Sequence, residues 1–191
     1  MHSVDTPEQT QILLDNVEDK NSYCLIQDND GWTALHSVDT PEQTQILLNN
    51  VKDPEAFCLI QNGNGETALH YAKTAKQTQI LLNNVKDPEA YCLIQNGNGE
   101  TALHYAKTAE QTQVLLLSYA VDNVKDQEAY YLMQDNYGYT ALHYAMTANQ
   151  TQILLNNVKD PEAYCLIQND NGETALHYAK TSEQTRILLD N

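Results

Sequence analysis

Apolar residues return along the chain in three short groups that keep one order: an Ala-Leu pair before histidine, an Ile/Val-Leu-Leu run, and a Cys-Leu-Ile run. Polar stretches separate them. The string TALH occurs at 33–36, 67–70, 101–104, 140–143 and 174–177, with spacings of 34, 34, 39 and 34 residues. Residues 62–74 and 96–108 carry the same letters, NGNGETALHYAKT. A sixth copy enters part-way, because MHSVDTPEQTQILL at the start matches LHSVDTPEQTQILL at 35–48. A period of this length means stacked small units, each too small to bury its own core. The array is divided at 1–32 (partial), 33–66, 67–100, 101–139, 140–173 and 174–191 (partial). Both ends fall within a repeat, which fits a fragment of a longer array or a short protein with unconventional caps.

Each unit reads as helical. Thr67 before ALHYAK is the N-cap of a first, short helix. A Thr-x-x-Gln capping box then opens a second helix through QTQILLNN, the Thr binding the N3 amide and the Gln reaching back. It recurs at Thr6/Gln9, Thr40/Gln43, Thr74/Gln77, Thr108/Gln111, Thr147/Gln150 and Thr181/Gln184. Pro7 and Pro41 occupy N1, where a missing N–H costs nothing. Asp53-Pro54-Glu55, with its equivalents at 87–89 and 160–162, starts either a short third helix or an extended arm beginning with a helical turn. NGNG and NDNG supply the positive-φ residues of a tight turn. Stacking is expected to bury Leu69, Ala72, Leu81, Leu82, Cys58, Ile60 and their equivalents. At about 25 cal/mol per Å² of apolar area, it supplies most of the stability.

These residues carry a family likeness. Gly-Glu-Thr-Ala-Leu-His-Tyr-Ala followed by a helix ending in Leu-Leu resembles the ankyrin repeat, whose hallmark is G-x-T-P-L-H-x-A. Ala replaces the family's Pro, the link between the two helices is shorter, and the segment after the second helix is longer and carries Asp-Pro-Glu. The resemblance implies an all-α ankyrin-type solenoid that binds another protein through a concave face of turn tips and first helices, with no chemistry of its own. Divergent units like these are similar to arrays in effectors of intracellular bacteria. Two alternatives stand beside this reading: a targeting segment of a larger effector or enzyme, and a self-associating array.

Charge narrows the partner. The formal net charge is −16, which disfavours nucleic acid and favours a basic protein surface. No apolar run approaches a membrane span or a signal peptide. The chain is read as a monomer in a reducing cytoplasm, or in a host cytosol after secretion.

The candidate chemistry reduces to structure. His36, His70, His104, His143 and His177 hold one position, with His2 as its remnant. Units stack about 10 Å apart, too far for equivalent histidines to share one zinc. In the family this histidine bonds within and between turns. Cys24, Cys58, Cys92 and Cys165 are likewise one position, with Tyr131 as the fifth copy. The stacking distance excludes disulfides, so they are read as small core hydrophobes in a reducing compartment. No metal, cofactor or catalytic residue is assigned.

Two departures locate what the template does not explain. LSYAV at 117–121 is an insertion that contains no breaker, so it extends a second helix by about a turn and a half. The other is the turn position right before Thr: Glu66, Glu100 and Glu173 in three copies, but Trp32 and Tyr139 in two, with Tyr137 beside the tip. One reading is drift and repacking around the insertion, with Trp32 covering the N-terminal end. The functional reading makes Trp32, Tyr137 and Tyr139 partner-binding anchors in a groove made acidic by Glu66, Glu100 and Glu173.

Overall fold

The computed structural model describes residues 6–118 and 124–191, and among these it is a helical solenoid with no strand. The unit that starts at Thr67 shows how it is built. Thr67 is extended (φ −100, ψ 171) and opens the helix Ala68–Tyr71. The cap is closed by His70, whose Nδ1 accepts the Thr67 N–H at 3.1 Å. A backbone N–H only donates, so Nδ1 carries no proton and Nε2 does. That Nε2–H donates to the carbonyl of Glu100 in the next unit at 3.3 Å. One neutral imidazole thereby caps its own helix and pins the following turn.

Ala72 turns extended (ψ 125) and ends the first helix. The second, Ala75–Asn83, is capped by Thr74, whose Oγ1 accepts the Gln77 N–H at 3.1 Å. It ends without glycine, because the Asn84 side-chain amide donates to the Ile80 carbonyl at 2.8 Å. The third segment is a helix, Pro88–Cys92, with proline at N1 and the Asp87 carboxylate accepting the Ala90 N–H at 2.9 Å. First helices pack on first helices along the array and second on second, so each row has one face inward.

The turn differs from expectation in one respect. Only the second glycine of each NGNG has positive φ, as at Gly65 and Gly99 (both +79). The first is kept close to its neighbour instead: Gly63 N–H donates to the Asp30 carbonyl and Gly97 N–H to the Asn64 carbonyl, each at 2.7 Å. Turn tips are thus tied one to the next.

Leu69, Ala72, Leu81, Leu82 and Cys58 are buried as expected, whereas Ile60 lies half-buried against the core edge. The largest core side chains precede Cys58, Cys92, Cys165 and their counterpart Tyr131: Phe57, Tyr91, Tyr164 and Tyr130 are at most 2% exposed. Burying a phenol requires a hydrogen-bond partner. Tyr91 donates to the Cys58 carbonyl and Tyr164 to the Tyr131 carbonyl, each at 2.9 Å.

The glutamines depart from the capping box. At Thr6 the box is reciprocal, Gln9 Oε1 accepting the Thr6 N–H at 3.2 Å. Further along, Gln77, Gln111, Gln150 and Gln184 accept instead from the residue before the cap, as Gln77 Oε1 does from Lys73 N–H at 2.9 Å. Their Nε2 groups donate backward to the carbonyls of Val38, Ala72, Ala106 and Ala145 at 2.6–3.0 Å. The reason is that a carboxamide has a donor as well as an acceptor, and the donor satisfies the carbonyl left open where the previous unit's first helix ends.

In the copy with the insertion, the second helix Ala109–Ser118 has ten residues against nine in Ala75–Asn83. Tyr119 to Val121 lie outside the described residues, as does His2. The helix that follows, Val124–Tyr131, has eight residues where its siblings have five.

Candidate functional site

The position before Thr and the residue after His prove to be one site. Tyr71, Tyr105, Tyr144 and Tyr178 follow the histidines and send their hydroxyls toward the turn carboxylates. Tyr71 donates to Glu66 Oε2 of its own unit. Tyr105 lies between Glu66 Oε1 at 2.8 Å and Glu100 Oε2 at 3.1 Å, bridging two units. Tyr144 donates to Asp135 Oδ2 at 2.8 Å, with Glu100 Oε1 at 3.3 Å. Tyr178 donates to Glu173 and meets the Tyr139 hydroxyl at 2.9 Å. The rings also touch: Trp32–Tyr71 centroids are 4.4 Å apart, Tyr71–Tyr105 6.4 Å, Tyr139–Tyr144 5.5 Å and Tyr139–Tyr178 5.5 Å. An aromatic and carboxylate ladder therefore runs along the turns and first helices.

Two residue pairings build the rungs. Asn62, Asn96 and Asn169 accompany Glu66, Glu100 and Glu173, and each asparagine Nδ2 donates to its glutamate at 2.8–3.0 Å. Asp28 and Asp135 accompany Trp32 and Tyr139 instead. Either way the Oδ1 atom accepts two turn N–H groups, as Asp135 Oδ1 does from Tyr137 and Tyr139 at 2.9 Å. Every turn thus keeps one carboxylate of this pair and never two. An Asp beside a Glu would place like charges in contact and remove the donor that joins them.

The electrostatics follow from these bonds. Burial works to raise the Glu66 carboxyl, but donors from Tyr71, Asn62, Tyr105 and Asn64 outweigh it and hold it at about 2. Hydrogen bonds from Tyr178 and Asn169 lower Glu173. Burial first, then the bond to Glu66, pushes the Tyr71 hydroxyl well up. Glu66 and Glu173 are therefore ionised and the Tyr71 hydroxyl neutral at pH 7.

The expected site residues are placed unevenly. Glu66 is corrected: it is 5% exposed, its oxygens filled by four donors, so it does not present a free carboxylate to a groove. Glu100 and Glu173 are half-buried in the same ladder. Trp32 and Tyr139 are half-buried and stacked rather than free-standing, and Tyr137 is 55% exposed at its turn tip. The ladder tyrosines escaped sequence reading, although the pairing of Asn with Glu and of Asp with an aromatic was visible there.

His36, His70, His104 and His143 have both ring nitrogens engaged in hydrogen bonds. All four cysteines are free and buried, and burial pushes Cys24 up to about 11 and Cys58 and Cys92 up to about 12. Among the described residues, no group of three or more His, Cys, Asp or Glu is placed to hold a metal, and no helix is long and apolar enough to cross a membrane.

The family described as ankyrin repeats (three copies) matches residues 76–165. The fold is similar to the crystal structure of EF0377, an ankyrin repeat protein, with a TM-score of 0.61 and 21% identity over 97% of this chain and 92% of that one. It is also similar to the ankyrin repeat domain of Bcl-3, a member of the IkappaB protein family, with a TM-score of 0.59 and 21% identity over 97% of this chain and 77% of that one. No curated protein matches the sequence. Ankyrin repeats are in general protein–protein interaction modules.

Proposed function

Because this chain belongs to the ankyrin repeat family, we propose that it is a scaffold that binds a partner protein along the face built from its turns and first helices. The ladder of half-buried rings beside ionised carboxylates carries this reading. Aromatic side chains dominate interface hot spots, and rings set among carboxylates favour lysine and arginine through cation–π contact and charge complementarity. The formal charge of −16 adds a long-range pull on a basic partner. Trp32, Tyr137 and Tyr139 are the direct anchors, and Glu100 and Glu173 line the strip. Glu66 acts through the tyrosines it orients. Nothing in the role calls for catalysis.

The test is a partner captured by the folded chain and titrated calorimetrically at low and high salt. Trp32→Ala with Tyr139→Ala should cost about 2 kcal/mol or more of binding, and added salt should slow association. Unchanged affinity in the folded double variant would place the interface elsewhere.

A further inference from the structure

The unit that starts at Thr140 shows how its aromatic rung is completed. The Tyr139 ring is flanked by Tyr144 of its own unit and Tyr178 of the next, both at 5.5 Å. Asp135 accepts two turn N–H groups on Oδ1 and the Tyr144 hydroxyl on Oδ2 at 2.8 Å. Asp135 is 6% exposed beneath that ring.

The unit that starts at Thr33 repeats this rung with one part missing. Trp32 replaces Tyr139 and has the next unit's Tyr71 on one flank at 4.4 Å. Asp28 replaces Asp135, with Oδ1 accepting the Asp30 and Trp32 N–H groups at 3.0 and 2.9 Å. Ser37 stands where Tyr144 would, and the ring that should cover Asp28 is absent. In its place is an open cleft of about 270 Å³ lined by Tyr23, Ile26, Asp28, Trp32, Thr33 and Ser37. Asp28 is exposed, and its Oδ2 has no hydrogen bond among the described residues. Ile26 is 56% exposed beside it.

We infer that this cleft receives a tyrosine side chain of the partner, its ring against Trp32 and its hydroxyl donating to Asp28 Oδ2. The inference rests on the reading of this face as a binding surface and names the chemistry of one contact. Size permits it, since cavities of about 150 Å³ already hold benzene. A carboxylate only accepts hydrogen bonds, so it selects phenol over phenyl. It also repels a phosphorylated ring. The same chain contains the occupied version of the slot, which is why tyrosine is favoured over arginine, another group that stacks on indole and pairs with carboxylate.

Trp32 is the single tryptophan of the chain, so its indole N–H resonance reports on the cleft directly. The full chain is titrated with N-acetyl-tyrosinamide and with the phenylalanine and arginine counterparts. The tyrosine probe should shift the resonance saturably, and the phenylalanine probe should bind about tenfold more weakly, the worth of one hydrogen bond to a charged acceptor. Ser37→Tyr should fill the slot from within, abolish the response and raise the melting temperature. A response that survives in folded Ser37→Tyr, or a phenylalanine or arginine probe that binds as well as tyrosine, would overturn the inference. Should Ser37→Tyr not fold, the ranking of the three probes on the unaltered chain still decides. An absent probe response, with partner affinity still lost in the Trp32→Ala and Tyr139→Ala variant, removes the tyrosine slot alone. Partner affinity lost in folded Ser37→Tyr but unaffected by Tyr139→Ala alone removes the wider face and leaves the slot standing, whereas unaffected affinity in the Trp32→Ala and Tyr139→Ala variant overturns both.

Discussion

The Nε2 group of Gln111 donates to the carbonyl of Ala72, 39 residues earlier, at 2.6 Å, and lies 3.3 Å from the Thr78 hydroxyl. Its Oε1 accepts the Lys107 N–H at 3.1 Å. One buried carboxamide thus closes the end of one unit's first helix and the start of its neighbour's second. The same clamp recurs at Gln77, Gln150 and Gln184. It is a joint between units, built from a residue that reads locally as part of a cap.

Gln111→Glu keeps shape and acceptor but removes the donor. The Ala72 carbonyl then loses its partner and faces a carboxylate, so a cost of about 1–3 kcal/mol or more is expected in urea unfolding. Gln9→Glu is the control. Gln9 is exposed and serves its box as an acceptor, so that change should stay within about 0.5 kcal/mol.

The Asn–Glu and Asp–aromatic pairs should be interchangeable only as pairs. Asn62→Asp alone sets a second carboxylate against Glu66 and removes the Nδ2 donor at 2.9 Å. It should destabilise by about 1–3 kcal/mol. Asn62→Asp with Glu66→Tyr recreates the arrangement of Asp135 and Tyr139 and should recover most of that loss. A double-mutant cycle giving a coupling energy under about 0.5 kcal/mol would mean that the two positions are independent.

Acid should unfold the array in two stages. Burial lowers the pKa of His36, His70, His104 and His143. Below the unfolded value of about 6.5 the unfolded chain therefore binds more protons than the folded one, and stability falls as pH falls. Glu66 is held at about 2 in the folded chain, against about 4.3 unfolded. Its contribution is present above the unfolded value and is lost as pH drops through this lower window. Urea midpoints measured across both windows should show both losses, and Glu66→Gln should shrink only the lower one.

The thiols should be silent until the chain opens. Burial pushes Cys58 and Cys92 up to about 12, so little thiolate forms at pH 8. Alkylation should be slow in the folded chain and reach all four cysteines after unfolding. Zinc or a chelator should leave the melting temperature unchanged, because both ring nitrogens of His36, His70, His104 and His143 are already committed to Thr N–H and carbonyl groups. A rise in melting temperature with stoichiometric zinc would contradict this.

Local chemistry was legible in the sequence by itself. The period, the Thr67 and Thr74 caps, proline at N1 of Pro88–Cys92 and the buried Leu81 and Leu82 all follow from groups a few residues apart. Spacing alone specifies such contacts. The tertiary structure decided the rest. Tyr105 meets Glu66 across 39 residues, Tyr91 meets the Cys58 carbonyl across 33, and Gln111 meets Ala72 across 39. Each is a bifunctional or hydroxyl-bearing side chain that is free to choose among several local partners, and only stacking sets which one it meets. Stacking likewise turned Glu66 from an expected surface acid into a buried acceptor, because the tyrosines that fill its oxygens come from its own first helix and from that of the next unit.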